Sequence, residues 1–375
     1  MLFIQLLAGA LFLGGLGYLG LAIRRVLSFT PSPTGPRTLP PITVMVPAHG
    51  AIPRLDECLR SICAQDYPEI QVVFGLHAPD DEARPIIERV MAAFPALKTT
   101  LVIDGRRLGT NPKNANLANM LPAARHDILV MVDADVLVQP DFLKRMVRPL
   151  EDPGVGGVTC LYQGRPEPGL ASHLGALYHN DWFIPSVLVD IGRREMDICY
   201  GAAIAVTRHA LETIGGFKAM SDAVAQDFVF GHRLHHAGFK IRLADYVVAT
   251  VVAENSLSSL IRHELRWNRA VRAVRPLEHA LSIFMSPLVP LALLLPSWPA
   301  GAALAALALH LGLRQVLHRL LRVHFDLPPA EPWLVPLREA LNAVVWARSF
   351  LGRTVRWDGV VMETGHGLEM RRSGS

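Results

Sequence analysis

Asp133 and Asp135 are separated by a single residue and follow directly after an apolar run, Ile128–Val132. The run is rich in β-branched residues, which is typical of a strand covered on both faces of a parallel sheet. Side chains at positions i and i+2 of an extended strand end point the same way, so we expect one small ion to meet both carboxylates. Carboxylate oxygens suit Mg²⁺ or Mn²⁺, which proteins usually bind through one or two carboxylates together with substrate phosphates. The alternative is a loop in which an Asp only caps a turn.

Further positions carry side chains suited to phosphate or proton chemistry. Lys113 follows a Gly- and Asn-rich turn next to a helix N-terminus, which favours a phosphate, with a solvated turn as the alternative. Asp227 lies in the first turn of a helix that opens at Gln226, either as a cap or as a base aimed into a site. Arg266 stands beside Trp267 in another predicted helix, where it is suited to neutralising a leaving phosphate or to contacting lipid head groups.

Alternating strand and helix patterns position these residues. Strands are predicted over residues 42–47, 70–76, 100–103, 128–132, 155–161, 201–207, 241–244 and 246–253, and helices over 55–63, 86–94, 115–124, 142–150 and 170–188. Such alternation predicts an α/β fold with a mainly parallel sheet. Ligands of these sheets bind beyond the carboxyl ends of the strands. The acidic loop with Asp80 and Asp81 follows the second strand and is therefore expected at this edge.

The composition and the first apolar segment indicate a membrane protein. Hydrophobic residues make up 51% of the 375 residues, and the mean hydropathy is +0.28. Residues 2–23 are apolar except for Gln5, and about 20 such residues span a bilayer. Arg24 and Arg25 follow at once, which predicts that the cytoplasm and the main domain lie on that side. A signal peptide is the alternative, but no basic segment precedes the apolar run.

A second apolar block, residues 280–313, is interrupted by Pro296-Ser297-Trp298-Pro299. Each half has about 15 residues, short for a full span, so either a membrane hairpin or two crossings are predicted. Residues 333–350 mix apolar and charged side chains, which favours an amphipathic helix in the interface plane or a surface helix packed on the core. The predicted division is a transmembrane helix (1–25), a linker (26–40), the α/β domain (41–276), the membrane hairpin or helix pair (277–322), and the interfacial helix and tail (323–375).

Cysteine usage and charge argue against two other kinds of site. The four cysteines show no C-x-x-C spacing and no histidine cluster completes a zinc site, so buried free thiols are expected. The net charge is only +4, and no basic patch with interleaved aromatic residues stands in the predicted soluble domain. We therefore expect no nucleic-acid partner.

Five motifs follow one another along the chain. They are Gln65-Asp66-Tyr67-Pro68, the stretch 111–117 (N-P-K-x-x-N-L), Asp133-Ala134-Asp135, Gln226-Asp227 and His263-Glu264-Leu265-Arg266-Trp267. In this order the chain resembles the GT-A glycosyltransferases of family 2/21, and among them the ceramide glucosyltransferase branch and its bacterial relatives associated with hopanoid synthesis. The stretch through Arg275 and Pro276 looks most like the hopanoid-associated members.

The resemblance implies a Rossmann-like GT-A domain that transfers a sugar from a UDP-sugar, either UDP-N-acetylglucosamine or UDP-glucose, to a lipid hydroxyl with inversion. A hopanoid polyol is the favoured acceptor, with ceramide and diacylglycerol as alternatives, and a bacterial inner membrane with a cytoplasmic catalytic domain is expected. The implied site has Asp227 as general base and Asp133 and Asp135 on a Mg²⁺ or Mn²⁺ ion. The nucleotide-sugar ligands that the resemblance implies are Pro47, Asp80, Asp81, Lys113, Asp133, Arg266 and Trp267.

Three positions depart from the family pattern. The first family aspartate falls on Ala78, the acid before Asp227 is Gln226, and His263 replaces Gln or Arg. A neighbouring loop aspartate would then bind the nucleotide base in place of the residue at position 78. Two alternatives remain. The first is a processive polysaccharide synthase, which would use a Q-x-x-R-W motif and more membrane spans. The second is a non-catalytic membrane scaffold, for which Ala78 is the supporting feature.

Overall fold

The computed structural model describes residues 2–30, 35–223, 225–352, 354–357, 360–364 and 370–372. The strands are β1 (Ile42–Pro47), β2 (Ile70–Leu76), β3 (Lys98–Ile103), β4 (Ile128–Val132), β5 (Val136–Leu137), β6 (Val155–Pro166), β7 (Ala203–Thr207), β8 (Lys240–Val252), β9 (Thr354–Trp357), β10 (Val360–Thr364) and β11 (Met370–Arg372). The helices are α1 (Leu2–Ser28), α2 (Leu55–Cys63), α3 (Arg84–Ala93), α4 (Pro112–Met120), α5 (Phe142–Val147), α6 (Leu170–Tyr178), α7 (Ile184–Ile191), α8 (Arg208–Thr213), α9 (Gln226–His236), α10 (Leu257–Val274), α11 (Pro276–Leu281), α12 (Leu288–Leu294), α13 (Ala300–Phe325) and α14 (Leu334–Ser349). Residues 31–34 of the predicted linker and parts of the predicted tail lie outside the described residues.

The main sheet has the strand order β3-β2-β1-β4-β7-β6-β8-β5. The first four of these strands are parallel to one another. β7 runs antiparallel to both β4 and β6, β6 is parallel to β8, and β5 is antiparallel to β8. The predicted mainly parallel sheet is therefore confirmed, because six of the eight strands of this sheet point the same way, whereas β7 and β5 point the opposite way. The reason is that α6 and α7 return the chain to the end of the sheet where β6 stops, so β7 runs back beside it.

Alternate side chains of the central strands face two helical layers. On β1, Val44 and Val46 belong to a buried cluster that includes residues of α2, α3 and α5, whereas Met45 belongs to a cluster with α4, α8 and α9. Such alternation is expected of a strand that is buried on both faces. Because β1, β2 and β4 are parallel, their carboxyl ends meet at one edge, and the loops with Asp80 and Asp133 leave the sheet there.

Two predicted elements have the wrong continuity, and other predicted ends are shifted, such as that of β6, which runs to Pro166 and not to residue 161. The strands predicted over 241–244 and 246–253 form the single strand β8, because Asp245 does not interrupt it: the Asp245 Oδ2 atom lies 3.2 Å from Nη1 of Arg145, so its charge is paired beside the extended backbone. The helix predicted over 170–188 is interrupted by a π-helical turn, His179–Phe183. Such turns inside α-helices are frequent at functional sites.

Within the described residues, two helices, α1 and α13, are long and apolar enough to cross a membrane. A third span results if Pro276–Met285 and Leu288–Ser297, which meet at 70°, are counted as one. α1 packs along α13, and the Gln5 side-chain amide donates to the carbonyl oxygen of Ser297 at 2.7 Å. Further along α1, Leu19 is buried in a cluster with residues of α7 and β6. The apolar helices and the α/β domain are therefore packed against each other.

Helix α14 lies where the amphipathic helix was predicted, but of its charged residues only Arg348 is exposed. The side chains of Arg338 and Glu339 are fully buried. Arg338 donates through two guanidinium nitrogens to the two carboxylate oxygens of Glu264, each at 2.7 Å, and Glu339 lies 2.8 Å from Nε2 of His310. These two charges thus have oppositely charged or imidazole partners inside the protein, and the placement of α14 at a membrane surface stays a prediction.

Candidate active site

Asp133 and Asp135 lie in a tight turn, not on an extended strand end. β4 stops at Val132, the Asp133 amide donates to the carbonyl oxygen of Ala202 at 3.1 Å, and the Val136 amide donates back to the carbonyl oxygen of Asp133 at 3.2 Å. The argument from strand alternation is therefore wrong for this pair. The turn nevertheless keeps the two carboxylates close enough to repel each other, because Asp133 contributes to a raised pKa of Asp135.

The charge balance at this turn favours a cation. Burial, and after it the negative charge of Asp133, raise the pKa of Asp135 to about 7, while Lys113 lowers it. A carboxylate whose ionisation is opposed by a neighbouring carboxylate fits a divalent ion, whose preferred ligands are carboxylate oxygens. No cluster of three His, Cys, Asp or Glu side chains suited to a metal occurs in the described part of the chain. The remaining ligands of such an ion would therefore be substrate phosphates or water.

Lys113 is held at the start of α4 and reaches the aspartate turn. The side chain of Asn111 caps the helix by accepting from the amide of Asn114 at 3.0 Å, which fixes the loop that carries Lys113. The Lys113 ammonium group forms an ion pair with Oδ1 of Asp133 and donates to the carbonyl oxygen of Gly201 at 3.1 Å. The predicted position at a helix N-terminus is correct, and the sequence did not reveal that Asp133 is the partner.

Asp227 lies in the first turn of α9, on the other side of Gly201. Its Oδ1 atom accepts from the amide of Phe228 at 3.0 Å, and a Cβ at Gly201 would lie 3.2 Å from its Oδ2 atom. Burial raises the pKa of Asp227, and Lys113 opposes that rise. The structure therefore brings Lys113, Asp133 and Asp227 together around a glycine that leaves room for the carboxylate.

Asp81 is already engaged by the protein. Its carboxylate accepts from the amides of Gly50 and Ala83, each at 2.9 Å, and lies 2.8 Å from Nδ1 of His49. Burial raises the pKa of Asp81, but these hydrogen bonds outweigh it, so the pKa is lowered overall. Asp81 thus ties the loop after β1 to the loop after β2. Asp80 is exposed, and it is the loop aspartate better suited to the predicted nucleotide contact.

Pro47 ends β1, and its neighbour in the sheet is Gly75 of β2. It therefore lies at the carboxyl edge where the loops of the candidate site begin. Its predicted contact with a nucleotide stays a prediction.

Trp267 is packed in an aromatic cluster. Its ring stacks on Tyr178 (centroids 6.2 Å apart, planes 25° apart) and contacts the rings of His179 at 5.4 Å and His263 at 4.2 Å. Arg266, beside it on α10, is partly buried. The predicted pair of Arg266 and Trp267 therefore includes one side chain fixed by packing against the π-helical turn.

Tyr162 of β6 connects the aromatic cluster with the carboxylates. Its ring lies 5.2 Å from the ring of His179. Burial raises the pKa of Tyr162 well above its usual value, and the charges of Asp227 and Asp133 add to that rise. The aspartates and the aromatic cluster are therefore parts of one region.

Two residues of this region were missed in the sequence, Glu254 and His179. Glu254 follows shortly after β8, as Asp133 follows β4. A carboxylate in this position was the sequence signal that could have identified Glu254 as a site residue. For the π-helical turn, the available signal was the polar run His179-Asn180-Asp181, which interrupts the apolar pattern of α6 and α7.

The first family motif is architectural. Gln65 donates to the carbonyl oxygen of Gln139 at 3.0 Å, and the hydroxyl of Tyr67 donates to the carbonyl oxygen of Pro40 at 2.8 Å. These bonds join the end of α2 to neighbouring loops.

Curated relatives share part of this chain. It is 22% identical to ceramide glucosyltransferase 1 of Caenorhabditis elegans over 241 residues. The matched region covers 64% of this chain and 51% of the relative. The chain is 30% identical over 181 residues to the ceramide glucosyltransferase of Gibberella zeae, 43% of this chain and 34% of the relative. The chain thus spans about half or less of the length of these relatives. The predicted likeness to ceramide glucosyltransferases is confirmed, and the hopanoid association stays a prediction.

A solved structure and a family model cover most of the chain. A mannosyltransferase from Pyrobaculum calidifontis, solved in complex with GDP-Man and Mn²⁺, matches with a TM-score of 0.59 and 24% identity over 92% of this chain and 98% of that one. This likeness confirms the predicted glycosyltransferase α/β fold. The model of glycosyl transferase family 21 matches residues 8–370. With nearly its whole length covered by that model, the chain belongs to glycosyl transferase family 21.

Proposed function

We propose that the chain is an inverting glycosyltransferase that moves a sugar from a UDP-sugar to the hydroxyl group of a membrane lipid. The observation that carries the proposal is the meeting of Lys113, Asp133 and Asp227 around Gly201. A cation, a carboxylate pair suited to a metal and a separate carboxylate suited to accepting a proton are what nucleotide-sugar transfer needs.

Asp133 and Asp135 are the proposed ligands of Mg²⁺ or Mn²⁺. Their mutual repulsion and oxygen chemistry fit such an ion, and the similar mannosyltransferase was solved with Mn²⁺. When bound, the ion supplies positive charge that offsets the charge growing on the diphosphate leaving group. Lys113 is positioned to exchange its bond with Asp133 for a bond with the diphosphate.

Asp227 is the proposed general base. Its raised pKa makes it a better proton acceptor than an ordinary aspartate. The acceptor hydroxyl gives its proton to Asp227, its oxygen bonds to the anomeric carbon, and the bond from that carbon to the phosphate oxygen breaks with the electron pair leaving on the diphosphate. Arg266 and Trp267 bind the diphosphate, and Pro47 and Asp80 contact the nucleoside.

The acceptor is a lipid because the catalytic domain is packed on helices suited to a bilayer. Within this class we favour a hopanoid polyol, from the motif that ends at Arg275 and Pro276, with N-acetylglucosamine or glucose as the sugar. Ceramide is the main alternative, supported by the named relatives, and diacylglycerol is another. Arg24 and Arg25 support a cytoplasmic domain at a bacterial inner membrane.

The test is product formation by the full chain in lipid nanodiscs. UDP-glucose and UDP-N-acetylglucosamine are each offered with a hopanoid polyol, ceramide or diacylglycerol, and UDP release and glycolipid mass are measured with Mn²⁺, with Mg²⁺ and with a chelator. We expect one acceptor class to give product only with metal. A folded chain that neither binds UDP nor releases it from either donor would favour the scaffold alternative.

A further inference from the structure

We propose that Glu254 is a positioning residue that fixes the imidazole of His263 and, through it, the ring of Trp267. The inference rests on the proposed function and adds a residue that none of the family motifs contains. It starts from a contact between two elements: Glu254 follows the end of β8, and His263 lies in α10. The Oε1 atom of Glu254 is 2.6 Å from Nδ1 of His263.

The pair is sheltered, and Glu254 is its anionic member. The Glu254 side chain is 16% exposed and that of His263 is 34% exposed. Burial raises the pKa of Glu254, but the hydrogen bond and the charge of His263 outweigh burial, so the pKa is lowered overall. An ionised carboxylate therefore faces Nδ1 and holds the proton on that nitrogen, which fixes the tautomer and the orientation of the ring.

His263 transmits this orientation to Trp267. The two residues are one helical turn apart on α10, where side chains at i and i+4 meet, and their ring centroids are 4.2 Å apart. From a different element, Tyr178 and His179 contact the same indole. Trp267 is thus packed between the end of α6 and the imidazole of His263, which Glu254 after β8 orients.

The pair also accounts for the departure of this chain from the family motif. Gln or Arg, which the family motif has at position 263, has a long side chain that ends in several N–H donors and can reach a hydrogen-bond partner directly. An imidazole is shorter, and it needs an orienting acceptor to present a fixed edge. Glu254 is that acceptor, so Glu254 and His263 together replace one longer residue.

The competing role for Glu254 is that of a third carboxylate for the metal. Its charge contributes to the raised pKa of Asp135, and its Oε2 atom is buried without a hydrogen-bond partner in the described structure. Against this role, one carboxylate oxygen is already taken by His263. The two roles differ in what they require, because positioning needs only an acceptor at Oε1, whereas metal binding needs the negative charge.

The experiment compares Glu254→Gln with Glu254→Ala in the UDP-release assay with the full chain in nanodiscs. Gln keeps an acceptor at Oε1 and loses the charge. We expect Glu254→Ala to raise the KM for the UDP-sugar about 10-fold or more, and Glu254→Gln to restore it to within about 3-fold of the wild type, with the same metal requirement. Glu69→Ala is the control, because Glu69 lies 3.8 Å from Nε2 of His126 at the opposite end of the sheet and its loss should leave KM unchanged.

His263→Ala gives a second, independent measurement. It should raise KM as much as Glu254→Ala does, and the double variant should be no worse than either single one, since both remove the same support. If Glu254→Ala does not fold, His263→Ala decides alone, and a wild-type KM would overturn the proposal. Equal damage from Gln and Ala at Glu254, or none from Ala, would also overturn it. An inactive wild-type chain would instead overturn the proposed function on which this inference rests.

Discussion

The ammonium group of Lys113 forms an ion pair with Oδ1 of Asp133 and also donates to the carbonyl oxygen of Gly201 at 3.1 Å. The lysine is thus held by one of the two carboxylates proposed to bind a metal. The Lys113 side chain is 26% exposed and that of Asp133 is 33% exposed, so both remain accessible to a ligand. With a metal and a diphosphate bound, Asp133 would hold the metal and Lys113 would donate to the phosphate instead of pairing with each other.

Replacing Lys113 by Ala should therefore weaken donor binding. We expect the KM for the UDP-sugar to rise about 10-fold or more, since a charge-assisted bond to phosphate is lost. Steady-state UDP release measures this effect. Lys144→Ala is the matched control, because Lys144 pairs with Asp66 at 2.5 Å outside the site and its loss should change nothing. An unchanged KM in Lys113→Ala would remove Lys113 from the site.

Asp135→Ala should abolish the dependence of nucleotide binding on metal. Burial and the charge of Asp133 both oppose ionisation of Asp135, so a bound cation would stabilise this carboxylate strongly. Removing Asp135 would therefore remove a main ligand of the proposed metal site. Calorimetric titration of UDP with and without Mn²⁺ measures the difference. We expect Mn²⁺ to strengthen UDP binding in the wild type and to have no effect in the variant. A variant in which Mn²⁺ still strengthens binding would show that the ligand is another residue.

Asp227→Asn should separate binding from chemistry. The amide keeps the size of the side chain but does not accept a proton, so UDP affinity should be retained while kcat falls at least about 10²-fold. Asp245→Asn is a suitable control, since Asp245 pairs with Arg145 at the sheet edge. Turnover close to that of the wild type would exclude Asp227 as the base.

The same substitution should stabilise the protein at high pH. Burial raises the pKa of Asp227 in the folded chain above its unfolded value, so the folded state binds its proton more tightly and the free energy of unfolding falls as the pH rises through that interval. Asn has no such charge to bury. Thermal unfolding should give Asp227→Asn a higher Tm than the wild type at pH 8, with the gap shrinking as the pH is lowered. A Tm gap that grows on acidification would contradict the assignment of the shift.

Local pattern was sufficient to predict the first half of the sheet and the order of the motifs. The strand Ile128–Val132 was found because five apolar residues end at a polar turn. The strands Ile42–Pro47 and Ile70–Leu76 were found from mostly apolar runs that each contain one polar residue, Thr43 or Gln71. Periodicity does not report pairing between distant strands, so the antiparallel position of β7 was missed.

Side-chain partners could not be predicted either, because local periodicity does not report contacts between residues that are distant in the chain. Asp81 looked like a nucleotide ligand, yet its Oδ1 atom accepts from the amides of Gly50 and Ala83 and its Oδ2 atom faces Nδ1 of His49. A linear pattern does not bring these partners together. Arg338 looked like part of a polar helix face, but its partner Glu264 lies far away in the chain. From sequence alone, a charged residue beside apolar residues is predicted to be exposed, because the oppositely charged residue buried with it is not known.

The buried pair of Arg338 and Glu264 gives a stability prediction. The Arg338 side chain is 0% exposed and that of Glu264 is 1% exposed, and the pair joins α14 to α10. Glu264→Ala should lower the free energy of unfolding by about 3 kcal/mol, because it leaves the guanidinium buried without its counter-charge. Thermal unfolding in nanodiscs should show this loss as a lower Tm.

Two comparisons make this prediction specific to the unpaired charge. The double variant Glu264→Leu with Arg338→Met should recover most of the lost stability, since removing both charges leaves neither one unsatisfied. Glu88→Ala breaks an exposed pair with Arg84, whose side chains are 51% and 41% exposed, and should cost at most about 1 kcal/mol. If the double variant is as unstable as the single one, the loss comes from packing around Tyr178, over which the guanidinium lies at 5.3 Å, and not from the charge left behind.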